Sequence, residues 1–203
     1  MLEFRQANGR DELMKVFKLR YQVYCLEKCF LPSSDYPEGV EVDEFDTASV
    51  HFVAMHTVDG QELVGTMRLI LDSDNGFPVE KHFRLTKPIT NRQTTIELSR
   101  LIVAPSARII AIPILMGLAR EIYWYCNDHQ IEDCYAVLEE PLLKMLKRIR
   151  FPFHVAGKEQ WYMGGLTRPA YLSVSETVRV MVRSNAIFRE YLTESKGNPM
   201  ILS

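Results

Sequence analysis

Apolar residues recur along this chain at two periods, and the switches between them map the elements. Residues 2–7 read as a short strand. Between residues 10 and 27, Leu13, Val16, Phe17, Leu19, Val23 and Tyr24 fall mostly at three- and four-residue spacings, which predicts an amphipathic helix. Residues 31–40 are rich in Pro, Ser, Asp and Gly, which predicts a loop running into the acidic segment 41–46. Residues 49–57 and 62–71 are β-rich runs on either side of Val58-Asp59-Gly60, and Asp-Gly is a hairpin signal. Residues 72–94 are polar and punctuated by Gly76, Pro78 and Pro88, so they predict a long excursion with Phe83 as its anchor.

Residues 95–103 form a third predicted strand, ending at Ala104-Pro105 where the chain must change direction. Residues 108–128 have helical character interrupted early by Pro113. A strand at 132–138, a helix at 140–149 and short strands at 151–156, 161–165 and 168–174 follow. Residues 175–192 predict a last amphipathic helix with Ser175 as N-cap and Glu176 in its first turn. Hairpins early and strand–helix–strand units later predict an α/β (α+β) fold, a mixed central sheet flanked by helices. There is no internal repeat, low-complexity tract or linker, so a single domain over residues 1–203 is expected.

Composition narrows the function classes. The hydrophobic content of 47% and charged content of 25% are those of a globular protein. A net charge of −2 gives no global pull towards nucleic acid or an acidic membrane. Cys25, Cys29, Cys126 and Cys134 have neither disulfide-framework nor zinc spacing and are expected as free, mostly buried thiols in a reducing compartment. The five histidines lie apart and signal no triad or metal site; His51 is expected on a strand within reach of the acidic loop. The N-terminus lacks a basic and apolar leader pattern, and no run approaches the roughly 18 apolar residues of a membrane span, so a cytoplasmic protein is expected.

The candidate chemistry sits in three short stretches: Glu41-Val-Asp43-Glu44-Phe45-Asp46, Gly65-Thr66-Met67-Arg68-Leu69 and Glu97-Leu98-Ser99-Arg100. Opposed carboxylates and arginines of this kind can form a buried ion-pair network, or can hold a zwitterionic, amine-bearing substrate. Arg20, Asp43, Asp46, Arg68, Glu97 and Arg100, taken in order and interval, resemble the acyl-homoserine-lactone (autoinducer) synthases, a branch of the GNAT acyltransferases. Phe83 matches an aromatic residue of their excursion. Tyr21-Gln-Val-Tyr-Cys25, Tyr36-Pro-Glu-Gly39 and Ser49-Val-His51 look closer to the related exosortase-associated N-acyltransferases. The match covers about residues 15–110, and the remainder resembles them in fold only.

The resemblance implies a GNAT-like fold and transfer of a fatty acyl group from a thioester to the amine of an amino acid or related metabolite; the alternatives are a non-catalytic acyl-chain or carrier-protein binding module and an acetyl-CoA-dependent N-acetyltransferase. It implies no permanently bound cofactor and no metal; the co-substrate is acyl-ACP (acyl carrier protein) or acyl-CoA. Glu97 is the candidate base, with Ser99 and Arg100 beside it in the catalytic set; the alternative is a Glu97 simply paired with Arg100 or Arg68. Asp43 and Asp46 can clamp an ammonium or be a solvated acidic loop, with Glu44 facing away. Arg68 and Arg100 can each bind a carboxylate, and Arg20 can pair with Asp43 or Asp46. Two departures from the pattern matter. Arg108-Ile-Ile-Ala-Ile-Pro-Ile114 replaces the glycine-rich diphosphate turn, which favours acyl carrier protein as donor. The usual tryptophan near the first loop is missing, with Phe30 or Tyr24 as stand-in, which counts against S-adenosylmethionine as acceptor. Lys144, Lys147, Arg148 and Arg150 form a basic face where an acidic carrier can dock, or a plain solvated helix surface. Ile114, Leu115, Leu118, Trp124 and Met145 can line an acyl channel or simply be core.

Overall fold

The computed structural model describes residues 1–57, 61–184 and 189. In chain order the elements are β1 (Leu2–Gln6), α1 (Gly9–Tyr21), β2 (Ser49–His56), β3 (Glu62–Ile70), α2 (Pro78–His82), β4 (Thr95–Val103), α3 (Ala111–Asp128), β5 (Asp133–Glu139), α4 (Glu140–Arg148), β6 (His154–Val155), β7 (Gln160–Tyr162), β8 (Gly165–Ser173) and α5 (Val174–Ser184). The strands form one sheet in the order β1-β2-β3-β4-β5-β8-β6, with β7 also on β8. Every pairing is antiparallel except β4 with β5. The mixed sheet flanked by helices is therefore as expected.

Alternation along β2 explains the two layers. Phe52 and Ala54 point into the core that holds Ile114 and Leu118 of α3, while Val53 and Met55 pack with Val16 of α1 on the other face. Gly117 lets α3 lie close to the sheet, because a Cβ there would sit 2.3 Å from the Phe4 ring. The stretch Pro105–Asp128 is long and apolar enough to cross a membrane by length and composition, contrary to the sequence reading. Its apolar character has a core role, since half of its most apolar window is buried inside the fold.

One irregularity shapes the site. β4 pairs with β5 only from Thr95↔Asp133 to Leu98↔Ala136. Beyond that point β4 follows β3 to Val103, and β5 follows β8 to Glu139. The register between β3 and β4 shifts between Thr66 and Arg68, and Arg100 takes φ 52°, a left-handed value that bends β4 away. The result is a fork in the middle of the sheet.

Several boundaries differ from expectation. The helix predicted over 10–27 is α-helical only to Tyr21 and continues as a π-helix over Gln22–Glu27, whose wider turn apolar periodicity does not signal. The excursion contains α2, which starts with Pro78 in its first turn and has Glu80 Oε1 accepting from the Phe77 N–H at 3.0 Å. Of the strand predicted at 151–156 only His154–Val155 pairs. Gly165 opens β8 instead of closing the strand before it. α5 begins at Val174, which puts Ser175 inside its first turn and not at the N-cap. The hairpin turn at 58–60 and the predicted end of the last helix lie outside the described residues.

Candidate functional site

The three charged stretches meet under α1 at the fork. Arg20 donates from Nε to Glu41 Oε2 and, through both terminal nitrogens, to Asp46 at 2.6 and 3.0 Å. Arg68 holds Asp43 bidentately at 2.6 and 3.0 Å, reaches Asp46 Oδ1 at 2.9 Å and gives its Nε–H to Ser99 Oγ at 2.9 Å. Arg100 binds Glu41 at 2.8 and 3.1 Å and Asp43 Oδ2 at 2.8 Å. Three guanidinium cations are thus matched by three carboxylates, with Arg20 and Glu41 both 0% exposed. Burial opposes the ionisation of Glu41 and Asp46, but the bonds from Arg100 and Arg20 outweigh it at Glu41, and those from Arg20 with the charge of Arg68 do so at Asp46. Both are held down at about 2.

This corrects one assignment. Asp43 and Asp46 do not stand open as an ammonium clamp, because the arginines already occupy them. Glu44 is exposed as expected. Glu41, which spacing did not single out, is the carboxylate that ties Arg20 to Arg100. His51 lies on β2 with Nε2 3.4 Å from Asp46 Oδ1, and burial takes its pKa down to about 4, so the imidazole is neutral.

Glu97 is separate from the network. Neither Arg68 nor Arg100 bonds to it; its Oε2 accepts from the Val79 N–H of α2 at 2.8 Å. Burial raises its pKa to about 8, with the Val79 N–H and the charges of Arg68 and Arg100 pulling the other way. The plain ion pair offered as an alternative at the sequence level is therefore not what forms.

Two cavities lie on the two sides of the fork. One of about 220 Å³ is lined by Asp43, Arg68, Glu97, Ser99, Arg100 and Glu139, with Phe30 and Tyr162 at its apolar edge. The other, about 150 Å³, is apolar and runs among Leu115, Ile122, Leu146, Phe153, Leu172 and Val178. Tyr24, Leu98, Ser99, Arg100, Leu101, Val137 and Leu142 line both, so the fork is their shared wall.

Other expectations divide. Phe30 lines the polar cavity, whereas Phe83 is buried behind it with its ring edge-on to Tyr162 at 5.5 Å. Of the residues proposed for an acyl channel only Leu115 lines the apolar cavity; Ile114 and Leu118 are core, Met145 packs against it, and Trp124 covers Arg120. Lys144, Lys147, Arg148 and Arg150 are all exposed, while Leu142 and Leu146 of the same helix face the apolar cavity. Cys29 is exposed and the other cysteines are buried and free. Among the described residues no group of His, Cys, Asp and Glu has a metal-binding arrangement.

Residues 15–176 match the family described as FeeM, N-acyl amino acid synthase. An acyl-homoserine-lactone synthase of Aliivibrio fischeri is 29% identical over 171 residues, spanning 81% of this chain and 86% of that protein. The acyl-homoserine lactone synthase BjaI, solved with SAM and isopentyl-CoA, superposes with a TM-score of 0.70 at 20% identity, over 100% of this chain and 95% of that one. A GNAT-family acetyltransferase from Staphylococcus aureus Mu50 superposes at 0.52 with 14% identity, over 86% and 99%. The two structural likenesses establish a GNAT-like fold. The chain belongs to the FeeM family of N-acyl amino acid synthases and is an acyltransferase.

Proposed function

We propose that this acyltransferase moves a fatty acyl group from an acyl carrier protein or coenzyme A thioester to the amine of an amino acid or related small metabolite. The observation that carries the reading is the fork, with a carboxyl of raised pKa in a polar cavity on one side and an apolar cavity on the other. The acyl chain fills the apolar cavity, and the thioester carbon sits at the fork. The acceptor enters from the polar side. The ammonium first gives one proton to Glu97, directly or through water. The neutral nitrogen then attacks, the N–C bond forms, and the C–S bond breaks as the nitrogen's second proton passes to the departing sulfur, which releases the thiol. Bending at Arg100 takes the backbone there out of the β3–β4 register, which leaves N–H groups to meet the developing oxyanion.

Carrier-borne donors are favoured by the exposed basic face of α4 and the following turn, which lies directly outside the helix that lines the apolar cavity. The chain then works in the cytoplasm as a single acyltransferase domain, alongside its carrier. Incubating the protein with mixed carrier and coenzyme A thioesters plus the common amino acids, with products read by mass spectrometry, tests this. A new N-acyl product that disappears in Glu97→Gln is expected. Bound lipid or carrier with no product would instead make the chain a binding module.

A further inference from the structure

An acceptor amine arrives as an ammonium ion, and the loop carboxylates that would meet it are neutralised by arginines. Among the described residues Glu139 differs from them. It ends β5, lines the polar cavity, is half-buried, and has no cation within ion-pair distance of its carboxylate. Its neighbour Glu140 uses the nearby cations, with Lys144 at 3.6 Å and Arg168 at 3.4 Å. Across the β5–β8 ladder Glu139 pairs in register with Thr167, which lines the same cavity and whose buried Oγ1 has no hydrogen-bond partner among the described residues. Gly165 keeps the space open, because a Cβ there would lie 3.0 Å from Glu139 Oε1.

A lone carboxylate and an unused hydroxyl, side by side and facing one cavity, make a cation-binding pair. We infer that Glu139 and Thr167 form the subsite that receives the acceptor's ammonium, in the role first assigned to Asp43 and Asp46. This rests on the proposed reaction for its purpose but not for its test. Thr167 Oγ1 accepts one ammonium N–H, Glu139 supplies the charge, and the proton leaves only when the nitrogen reaches Glu97.

Saturation-transfer NMR on the whole chain without thioester, using the twenty common amino acids and their N-acetyl forms as probes, reads binding alone. The free amino acids should bind, the N-acetyl forms, whose amide nitrogen carries no charge, should not, and Glu139→Gln should weaken binding at least tenfold with an unchanged melting temperature. Thr167→Val should weaken it about threefold. With thioester present, Glu139→Gln should raise KM for the amino acid while the thioester KM stays as in the wild type. Unchanged amino acid binding in Glu139→Gln, or a change confined to the thioester KM, overturns the assignment. Should Glu139→Gln fail to fold, Glu139→Asp with its shorter reach must show the same KM split. Amino acid binding lost in the variant together with a wild type that makes no product would keep the subsite and reject the transferase reading.

Discussion

Replacing Glu97 by Gln should abolish turnover and stabilise the fold, and the stabilisation should grow with pH. The swap is isosteric and leaves an Oε to accept from the Val79 N–H. Burial has moved the carboxyl from 4.5 to about 8, so ionising it costs more in the folded chain than in the unfolded one. A group with a raised folded pKa contributes its full stability below the unfolded value and loses it as pH climbs to the folded one. For Glu97 that window runs from about 4.5 to about 8. At about 1.4 kcal/mol per pH unit, the wild type should lose roughly 3 kcal/mol relative to the variant between pH 5 and pH 8. Any fixed offset from the new amide cancels in that difference.

Urea unfolding of both proteins at pH 5 and pH 8 measures it. A variant whose advantage is equal at both pH values would refute the reasoning, because it would mean Glu97 is ionised and solvated like any surface carboxylate. With Glu97 as the proposed base, the same pKa should set the wild-type rate. Only about one-tenth of a group titrating near 8 is ionised at pH 7, so kcat/KM should climb almost tenfold per unit from pH 6 and level off above about 8.

Other perturbations follow from the same geometry. Glu41→Ala leaves Arg20 and Arg100 buried and short of a partner, and should cost about 3–5 kcal/mol, seen as a melting temperature lower by roughly 10 °C. Acid should act in the same direction on the wild type. Glu41 is depressed to about 2, so its contribution is present above about 4.5 and lost as pH falls towards 2, which a fluorescence titration would follow. Val178→Trp narrows the apolar cavity from α5 and should turn preference towards shorter thioesters by about tenfold or more, since each methylene shut out forfeits about 0.8 kcal/mol. Arg148→Glu should raise KM for a carrier-borne thioester about tenfold, more at low salt, and leave KM for the coenzyme A thioester unchanged.

The order of elements was legible because most of them keep one period throughout. The exceptions are local and have causes. The Arg20–Asp46 pair could be anticipated from charge order, but Glu41 could not. Its contact with Arg20 and Arg100 depends on how residues 28–40 fold back, and no spacing encodes that. Glu97 and Arg100 are three apart, which in a regular strand places them on opposite faces; the positive φ at Arg100 re-aims it into the cavity that holds Glu97. Arginine at a left-handed position gives no sequence signal of the kind glycine does. Of the α3 residues named for a channel, Leu115 lines the apolar cavity while Ile114 and Leu118 are core. Periodicity does not give that split, since apolar residues all round a helix do not say which of them meet the sheet and which meet a void.

The arginine–carboxylate network makes most sense as the condition for an unpaired Glu97. Buried ion pairs of this kind contribute little net stability over apolar packing, so stability alone does not account for it. What the network does is use up the guanidinium bonds. Arg68 spends its donors on Asp43, Asp46 and Ser99, and Arg100 on Glu41, Asp43 and the Met163 sulfur. Were either free, it would pair with Glu97 and pull its pKa down, leaving a carboxylate too weak to take a proton from an amine. The acidic loop thus shapes the basicity of a residue it does not touch: with the guanidinium bonds used up, Arg68 and Arg100 act on Glu97 by charge alone, and burial outweighs them together with the single Val79 N–H.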